Sequence, residues 1–147
     1  MNCFLLKSNF RLPRDLEARF LDFRETFKDI ILKVEDRLSI ASYVFTPSFP
    51  LLDDLKDLKR RNIEVRLLLD SQSQATLSAV EIFPTKVIHK KKLHMKFVVA
   101  DGSRCILGSH NMTFSASEEN YELGVYAEGE ICSTLERLFN FLWEFAK

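Results

Sequence analysis

The chain has 147 residues, of which 46% are hydrophobic and 13 are phenylalanine, so it is large enough to bury a core. The count of lysine and arginine (21) equals that of aspartate and glutamate (21), which excludes the strongly basic composition of many nucleic-acid-binding proteins. The low glycine and proline content, and the lack of an apolar run of about 18 residues, exclude a disordered or membrane-spanning chain.

Predicted elements alternate between strand and helix in the first half of the chain. Pro13 is well placed to open a helix, Asn62 to end one, and Asp70 to follow a buried strand of an α/β sheet. The predicted elements are a strand at 2–6, a helix at 14–35, a strand at 38–45, a helix at 50–61 and a strand at 63–69. The first helix has an apolar face at helical spacing, formed by Leu16, Phe20, Phe23, Phe27, Ile30, Ile31 and Val34.

The second half of the chain is predicted to contain mostly strands. Asp101-Gly102 is a strong signal for a hairpin between two of them. The predicted elements are a short helix within 71–84, strands at 86–89, 93–100, 104–108 and 120–127, and a helix from 130 onward. That last helix has one apolar side, formed by Ile131, Leu135, Leu138, Phe139, Leu142 and Phe145. The fold class predicted from these elements is α/β, a mixed β-sheet flanked by helices in a single domain spanning residues 1–147.

Side-chain alternation along the strand predicted at 93–100 sorts its residues into two faces. Met95, Phe97 and Val99 form an apolar face that is expected to lie against helices. His94 and Lys96 project together from the opposite face.

The predicted hairpin brings further polar residues back to the end of the sheet where His94 lies. Ser109 and Asn111 follow the returning strand, and Glu122 is placed to meet the imidazole if the next strand shares its face. Lys96, Ser109 and Asn111 are suited to stabilise charge on phosphate oxygens. His94 is the one group of this set that serves near neutral pH both as a nucleophile and as a proton carrier, and Glu122 would fix its tautomer.

These residues match a known sequence signature. The segments HMKFVVAD and GSHN resemble the phospholipase D superfamily signature, His-x-Lys-x4-Asp-x6-Gly-Ser-x-Asn, at every specified position. Asn120-Tyr121-Glu122 resembles an Asn-x-Glu that follows it in many members, and looser likeness extends over residues 14–127. With a single signature in a chain of this size, the sequence is similar to small bacterial endonucleases of the superfamily, which work as homodimers.

The resemblance implies a mechanism and a role for each residue. His94 would form a phosphohistidine, and His94 of the other subunit would protonate the leaving oxygen and later activate water. Lys96, Ser109 and Asn111 would bind the phosphate and Glu122 would orient His94, with no metal and no cofactor. Asp101 would be structural, whereas no role follows for His110 in the variable position.

A homodimer is also expected from the residues themselves. Only His94 lies in the signature context, because His89 and His110 lack the paired lysine and the asparagine. Two imidazoles at one phosphate therefore require two chains related by a two-fold axis.

The substrate remains open at this point between nucleic acid and lipid. Lys90, Lys91 and Lys92 precede the site in a lysine-rich segment at 86–92, which favours nucleic acid but is also typical of a solvated loop. The alternatives are a lipid phosphodiesterase or phosphatidyl transferase, and a non-catalytic dimeric binding module. Since no G-x-S-x-G motif is present, a serine hydrolase is disfavoured.

Two expectations concern the environment of the chain. Its first 15 residues have too short an apolar run for a secretion signal, so a cytoplasmic protein without integral membrane insertion is expected. Cys3, Cys105 and Cys132 lie far apart and form no C-x-x-C pair, which predicts neither a disulfide framework nor a zinc site.

Overall fold

A computed structural model of the chain describes residues 2–71 and 83–147. Its strands are β1 (Cys3–Ser8), β2 (Phe20–Asp22), β3 (Arg37–Ser42), β4 (Glu64–Asp70), β5 (Thr85–Ile88), β6 (Phe97–Ala100), β7 (Arg104–Gly108) and β8 (Glu122–Glu128). Its helices are α1 (Arg14–Glu17), α2 (Phe23–Lys33), α3 (Leu52–Arg60), α4 (Phe114–Glu118) and α5 (Glu130–Phe145). The strands form one sheet in the order β2-β1-β8-β7-β6-β3-β4-β5. The prediction of an α/β fold with a mixed sheet flanked by helices is confirmed.

Two apolar layers fill the space between the sheet and its helices. On one face, Phe27 of α2 and Leu55 of α3 belong to the larger core cluster. On the other face, Phe139 of α5 packs with Phe97 of β6 in a second cluster. Because α2 and α3 lie against one face and α5 against the other, the central strands are buried on both sides.

The long helix predicted at 14–35 is wrong, because a short strand interrupts it. Pro13 does precede α1, but that helix ends at Glu17, and β2 then pairs in parallel with β1. Asp22 starts α2 as its N-cap, since its carboxylate accepts a hydrogen bond from the backbone N–H of Glu25 at 3.0 Å. Leu16, predicted to be inward, is therefore exposed.

Several local signals are confirmed with small shifts in their bounds. Asn62 has a φ of 60° just after α3, as its stop signal predicted. Asp101 and Gly102 have φ values of 54° and 65° and join β6 to β7 in a tight hairpin. β7 and the start of α5 agree with the sequence, whereas most of the helix predicted within 71–84 lies outside the described residues.

Two predictions for the second half of the chain are corrected: where one strand begins, and which residues of the last helix are buried. The strand predicted at 93–100 enters the ladder only at Phe97, and the N–H of Leu93 donates to the carboxylate of Asp70 at 2.6 Å. On α5 the inward side is centred on Phe139, and Ile131, Leu138 and Phe145 of the predicted apolar side remain exposed. The apolar stripe of α5 is thus wider than the surface that this chain buries.

Candidate active site

The signature residues other than Asp101 gather at one end of the sheet. β3 and β7 run toward this end, and β6 and β8 start from it, because the neighbours β3–β6, β6–β7 and β7–β8 are antiparallel. Lys96 comes just before β6, and its carbonyl accepts a hydrogen bond from the N–H of Gly108 at 3.2 Å. Ser109 follows β7 directly, and Glu122 is the first residue of β8.

His94 is exposed and lies between a cation and an aromatic ring. Nζ of Lys96 is 3.1 Å from Nδ1 and 3.3 Å from Nε2 of the imidazole. The ring of Tyr43 packs against it with a centroid distance of 5.4 Å and an interplanar angle of 51°. The bond from Leu93 to the buried Asp70 fixes the backbone just before His94. A phosphate attacked by His94 would therefore lie within reach of the Lys96 ammonium.

Opposing effects act on the ammonium of Lys96. Partial burial lowers its pKa, and the nearby Lys92 lowers it further, while the carboxylate of Glu122 raises it. The net result is a pKa below that of an ordinary lysine. Glu122 thus keeps a cation in place at a partly desolvated position.

Ser109 and Glu122 form a tight pair at the mouth of the site. The hydroxyl of Ser109 hydrogen bonds to Oε1 of Glu122 and accepts a hydrogen bond from the N–H of Leu123 at 3.1 Å. Asn120 donates to Oε2 of Glu122 at 3.3 Å. Among the described residues, no hydrogen bond joins Glu122 to His94, so the contact expected from the sequence is not made. The carboxylate is instead directed to Ser109 and toward Lys96, because Ser109 and Asn120 hold its two oxygens.

Asn111 is held in a defined orientation by the end of β3. Its Oδ1 accepts hydrogen bonds from Oγ of Ser42 at 3.3 Å and from the backbone N–H of Val44 at 3.2 Å. Because the carbonyl oxygen is used in this way, the NH2 group is the end that remains to donate to a ligand. A neutral donor to phosphate is the role that the resemblance implies for Asn111.

His110, between Ser109 and Asn111, is not at the surface. Its ring is stacked on Phe23 with centroids 3.8 Å apart, and Nε2 lies 2.6 Å from Oγ of Ser8. Burial lowers the pKa of His110 from 6.5 to about 4. The ring therefore ties the loop to β1 and α2 and stays neutral at physiological pH.

Asp101 lies at the opposite end of the sheet, in the β6–β7 hairpin. Its carboxylate accepts backbone hydrogen bonds from Glu35 at 2.9 Å, Asp36 at 2.9 Å and Arg37 at 3.0 Å. Burial alone would raise the pKa of Asp101, but these bonds and Arg104 outweigh it and hold the pKa below its usual value. Asp101 thus anchors the entry into β3, away from His94.

The lysine-rich segment reaches the site through one side chain. Nζ of Lys92 lies 5.0 Å from the centroid of the Tyr43 ring, which itself contacts His94. Lys90 and Lys91 are exposed, and in the described structure no contact brings them to His94. Within residues 2–71 and 83–147, no group of three or more His, Cys, Asp and Glu side chains is arranged to hold a metal ion.

Sequence reasoning missed the residues that support the site from β3 and β4. Ser42 and Tyr43 lie within the strand predicted at 38–45, and Asp70 directly follows the strand predicted at 63–69. Polar side chains at the ends of adjacent parallel strands were the available signal, because such ends meet at one edge of a sheet. None of them belongs to the signature.

Comparison with known proteins establishes the family. The domain family described as "Cardiolipin synthase, PLD-like domain" matches residues 27–143. The chain belongs to the phospholipase D superfamily. The superfamily prediction made from the signature is therefore confirmed, and the class of activity that these matches support is a phospholipase D-like phosphodiesterase.

Individual relatives in the superfamily are distant and differ in size. The chain is 24% identical over 134 residues to the probable cardiolipin synthase YwiE of Bacillus subtilis, an alignment covering 80% of this chain and 27% of that protein. It is 27% identical over 147 residues to the envelope phospholipase OPG057 of Monkeypox virus, covering 88% and 40%. The chain thus spans less than half the length of either relative.

A solved structure of nearly the same length shares the fold. Nuc from Salmonella typhimurium, a phospholipase D family member, superposes with a TM-score of 0.78 at 18% identity. The match covers 99% of this chain and 96% of Nuc. No helix in the described part of this chain is both long and apolar enough to span a bilayer.

Proposed function

We propose that this chain is a metal-independent phosphodiesterase that cleaves nucleic acid through a phosphohistidine on His94, at a site shared by two copies of the chain. The observation that carries the proposal is the arrangement around His94. A cation (Lys96) and an oriented amide (Asn111) belong to segments that meet at the same end of the sheet as the exposed imidazole. This set suits attack on a phosphodiester, because it offers a nucleophile together with donors for the phosphoryl oxygens.

The proposed reaction has two steps. In the first, a ring nitrogen of His94 attacks phosphorus, a P–N bond forms and the P–O bond to the leaving group breaks. The His94 of the second copy gives its proton to that leaving oxygen. In the second step, the His94 of the second copy removes a proton from water. The water oxygen attacks phosphorus, and the P–N bond to the first His94 breaks.

The requirement for a second copy follows from where the other histidines lie. His110 is buried, bonded to Ser8 and neutral at physiological pH, so it is unsuited to protonate a leaving group. His89 is exposed and precedes the hydrogen bond from Leu93 to Asp70, so it lacks the backbone anchor that His94 has. A second His94 is therefore the natural acid, and general acid catalysis is typically worth about 10²–10⁴-fold.

Nucleic acid is the favoured substrate because of what surrounds the imidazole. Lys92 and the ring of Tyr43 lie next to His94, and Lys90 and Lys91 extend the same exposed basic segment. Cations beside an aromatic ring suit a polyanion whose bases stack. Tyr43 supplies the aromatic group that the sequence alone did not reveal.

The direct test is cleavage of plasmid DNA, a generic RNA and bis(p-nitrophenyl) phosphate with EDTA present. Wild-type protein is expected to retain activity in EDTA, and His94→Asn to lose it on all substrates. His89→Asn is the matched control and should behave as wild type, since His89 is also an exposed histidine and lies shortly before His94 in the chain. Loss of wild-type activity in EDTA would contradict the metal-free mechanism.

A lipid phosphodiester is the second candidate. The matched domain family carries the name of a cardiolipin synthase, and both curated relatives have lipid-related names. Phe141 and Phe145 of α5 are also exposed, with their ring centroids 5.4 Å apart. Exposed aromatic side chains are a feature of helices that lie on a membrane surface. Release of headgroup from phosphatidylglycerol or cardiolipin vesicles, without cleavage of nucleic acid, would favour this candidate over the nuclease.

A further inference from the structure

Two of the three cysteines are in contact inside the core. Sγ of Cys132, in the first turn of α5, lies 2.7 Å from Sγ of Cys105 in β7, and both residues are free thiols. Cys105 is 2% exposed and Cys132 is 0% exposed, and both belong to the core cluster that contains Phe139. We call Cys105 and Cys132 the buried thiol pair. Their contact joins a strand to the helix that packs on it.

The backbone places Cys132, and not Cys3, within bonding reach of Cys105. Cys105 pairs in register with Ala127 of β8, and Sγ of Cys132 lies 3.1 Å from the carbonyl oxygen of Ala127. Cys3 pairs with Ala127 from the other side of β8. Two strand spacings, about 9.6 Å, therefore separate Cys3 from Cys105, whereas the Cα atoms of a disulfide are about 4.4–6.8 Å apart.

The surroundings of the buried thiol pair make it unreactive while it stays buried. Burial raises the pKa of both the Cys105 thiol and the Cys132 thiol. The thiolate is the form that attacks other molecules and binds metals, so the folded pair is a poor nucleophile and a poor metal ligand. Chemistry at this pair therefore requires that the core around it opens.

The first turn of α5 provides such an opening. Its N-cap is Gly129, which has no side chain to accept a hydrogen bond from the first N–H groups of the helix. Ile131 and Ser133, on either side of Cys132, are exposed. Opening of this one turn would carry Cys132 out of the core, and the same turn is also open before the chain has folded. A soluble oxidant thus has access to Cys132 in both situations.

We infer that the buried thiol pair is a site of reversible oxidation, at which a soluble disulfide such as glutathione disulfide links Cys105 to Cys132. The thiolate of one cysteine attacks the soluble disulfide, forms a mixed disulfide and releases one glutathione thiolate. The thiolate of the other cysteine then attacks the bonded cysteine sulfur and releases the second glutathione thiolate. The two cysteine protons end on the two glutathione thiols, so the cysteines are oxidised and one glutathione disulfide is reduced.

The bond would close a loop that carries much of the candidate site. Ser109, Asn111 and Glu122 all lie between Cys105 and Cys132, which are 27 positions apart in the chain. A cross-link over this length restricts the unfolded chain and so stabilises the folded one. For a chain of this size we expect the melting temperature to rise by about 10 °C.

The test is redox equilibration of the full chain with its exposed thiol removed. Cys3→Ser is the background, because Cys3 is exposed and would otherwise form mixed disulfides and links between chains. The protein is refolded, and separately incubated while folded, in buffers of varied glutathione to glutathione disulfide ratio. Free thiols are then alkylated with N-ethylmaleimide in denaturant and counted by mass spectrometry, and peptide mapping locates any bond. Cys132→Ala in the same background is the matched control.

In glutathione disulfide, the Cys3→Ser protein is expected to become about 2 Da lighter, to take up no maleimide and to melt about 10 °C higher than its reduced form. The Cys132→Ala control should show no such loss of mass and no rise in melting temperature. Two maleimide groups per chain at every glutathione ratio, after refolding as well as after incubation, would overturn the inference. Glutathione adducts on Cys105 and Cys132 with no bond between them would overturn it as well. A mapped bond without a higher melting temperature would overturn the stabilising effect.

Discussion

At the residue scale, Glu122 connects two parts of the candidate site. It accepts the hydroxyl of Ser109 and its charge acts on the ammonium of Lys96. Its carboxylate raises the pKa of Lys96 against the lowering caused by burial. A carboxylate in this position preserves the cation that we propose to bind phosphate, instead of fixing the imidazole tautomer as the sequence pattern indicated.

Replacement of Glu122 by glutamine should therefore change the alkaline side of the pH profile. Without the carboxylate the pKa of Lys96 falls further, so the ammonium loses its proton at a lower pH and phosphate binding is lost earlier as the pH rises. The measurement is kcat/KM for bis(p-nitrophenyl) phosphate between pH 6 and pH 10. Glu119→Gln, an exposed carboxylate three positions earlier, is the control, and an alkaline limb identical in Glu122→Gln and wild type would contradict this role.

His110 gives a second prediction, for stability instead of activity. Its pKa is lowered to about 4 in the folded chain, whereas the unfolded chain has the ordinary value of 6.5. Above pH 6.5 neither state is protonated at this ring, but between pH 6.5 and pH 4 the unfolded state binds a proton that the folded state does not. Stability is therefore lost as the pH falls through this window, by about 3 kcal/mol in total.

The variant His110→Gln removes this titration and keeps a polar group near Ser8. Urea unfolding of both proteins at pH 7 and near pH 4 would show whether the free energy of unfolding of wild type falls by about 3 kcal/mol more than that of the variant. Equal losses in the two proteins would show that the ring is protonated in the folded state.

At the element scale, the β6–β7 hairpin depends on Asp101. This residue has a φ of 54°, which asparagine and aspartate tolerate best among residues with a side chain, and it receives three backbone hydrogen bonds from the entry to β3. Asp101→Ala should lower the free energy of unfolding by about 3 kcal/mol, and Asp101→Asn by about half of that. Because the hairpin is at the far end of the sheet from His94, kcat of either folded variant should match wild type. A low kcat in stable Asp101→Asn protein would place Asp101 in the reaction.

Local signals predicted those elements whose structure depends on nearby residues. The Asp101-Gly102 turn, the stop at Asn62 and the start of α5 at Glu130 each depend on backbone preferences or capping within a few residues. β2 could not be predicted in this way, because its three residues owe their conformation to pairing with β1, which lies earlier in the chain. Helical spacing alone made Phe20 and Phe23 part of one helix.

For the candidate site as well, nearby residues predicted some features, whereas contacts between distant parts of the chain determined others. The prediction that His94, Lys96, Ser109 and Asn111 lie at one end of the sheet used only short-range features, namely alternation along a strand and a hairpin. It could not give the partner of Glu122 or the contact of Tyr43 with His94, because both depend on side-chain positions contributed by separate strands. Likewise, the sequence of α5 shows every apolar residue on one side of the helix, but only the packed structure shows that Leu138 is exposed.

At the scale of the whole molecule, the shared site makes a quantitative prediction for mixed dimers. A dimer of one wild-type chain and one His94→Asn chain has a single His94, so it lacks either the nucleophile or the acid at every turnover. Since general acid catalysis is worth about 10²–10⁴-fold, such mixed dimers should contribute almost nothing. After subunit exchange, activity should therefore follow the square of the wild-type fraction.

An equal mixture of the two proteins should accordingly retain about a quarter of the activity of wild type at the same total concentration. Two independent sites, one in each chain, would retain about half, as would a mixture in which subunits had not exchanged. Co-purification through a tag on one chain confirms the exchange, and an equal mixture with His89→Asn controls for the mixing itself and should remain fully active. A linear dependence after confirmed exchange would contradict the shared site, because only a turnover that uses both imidazoles makes the loss greater than the fraction of chains replaced.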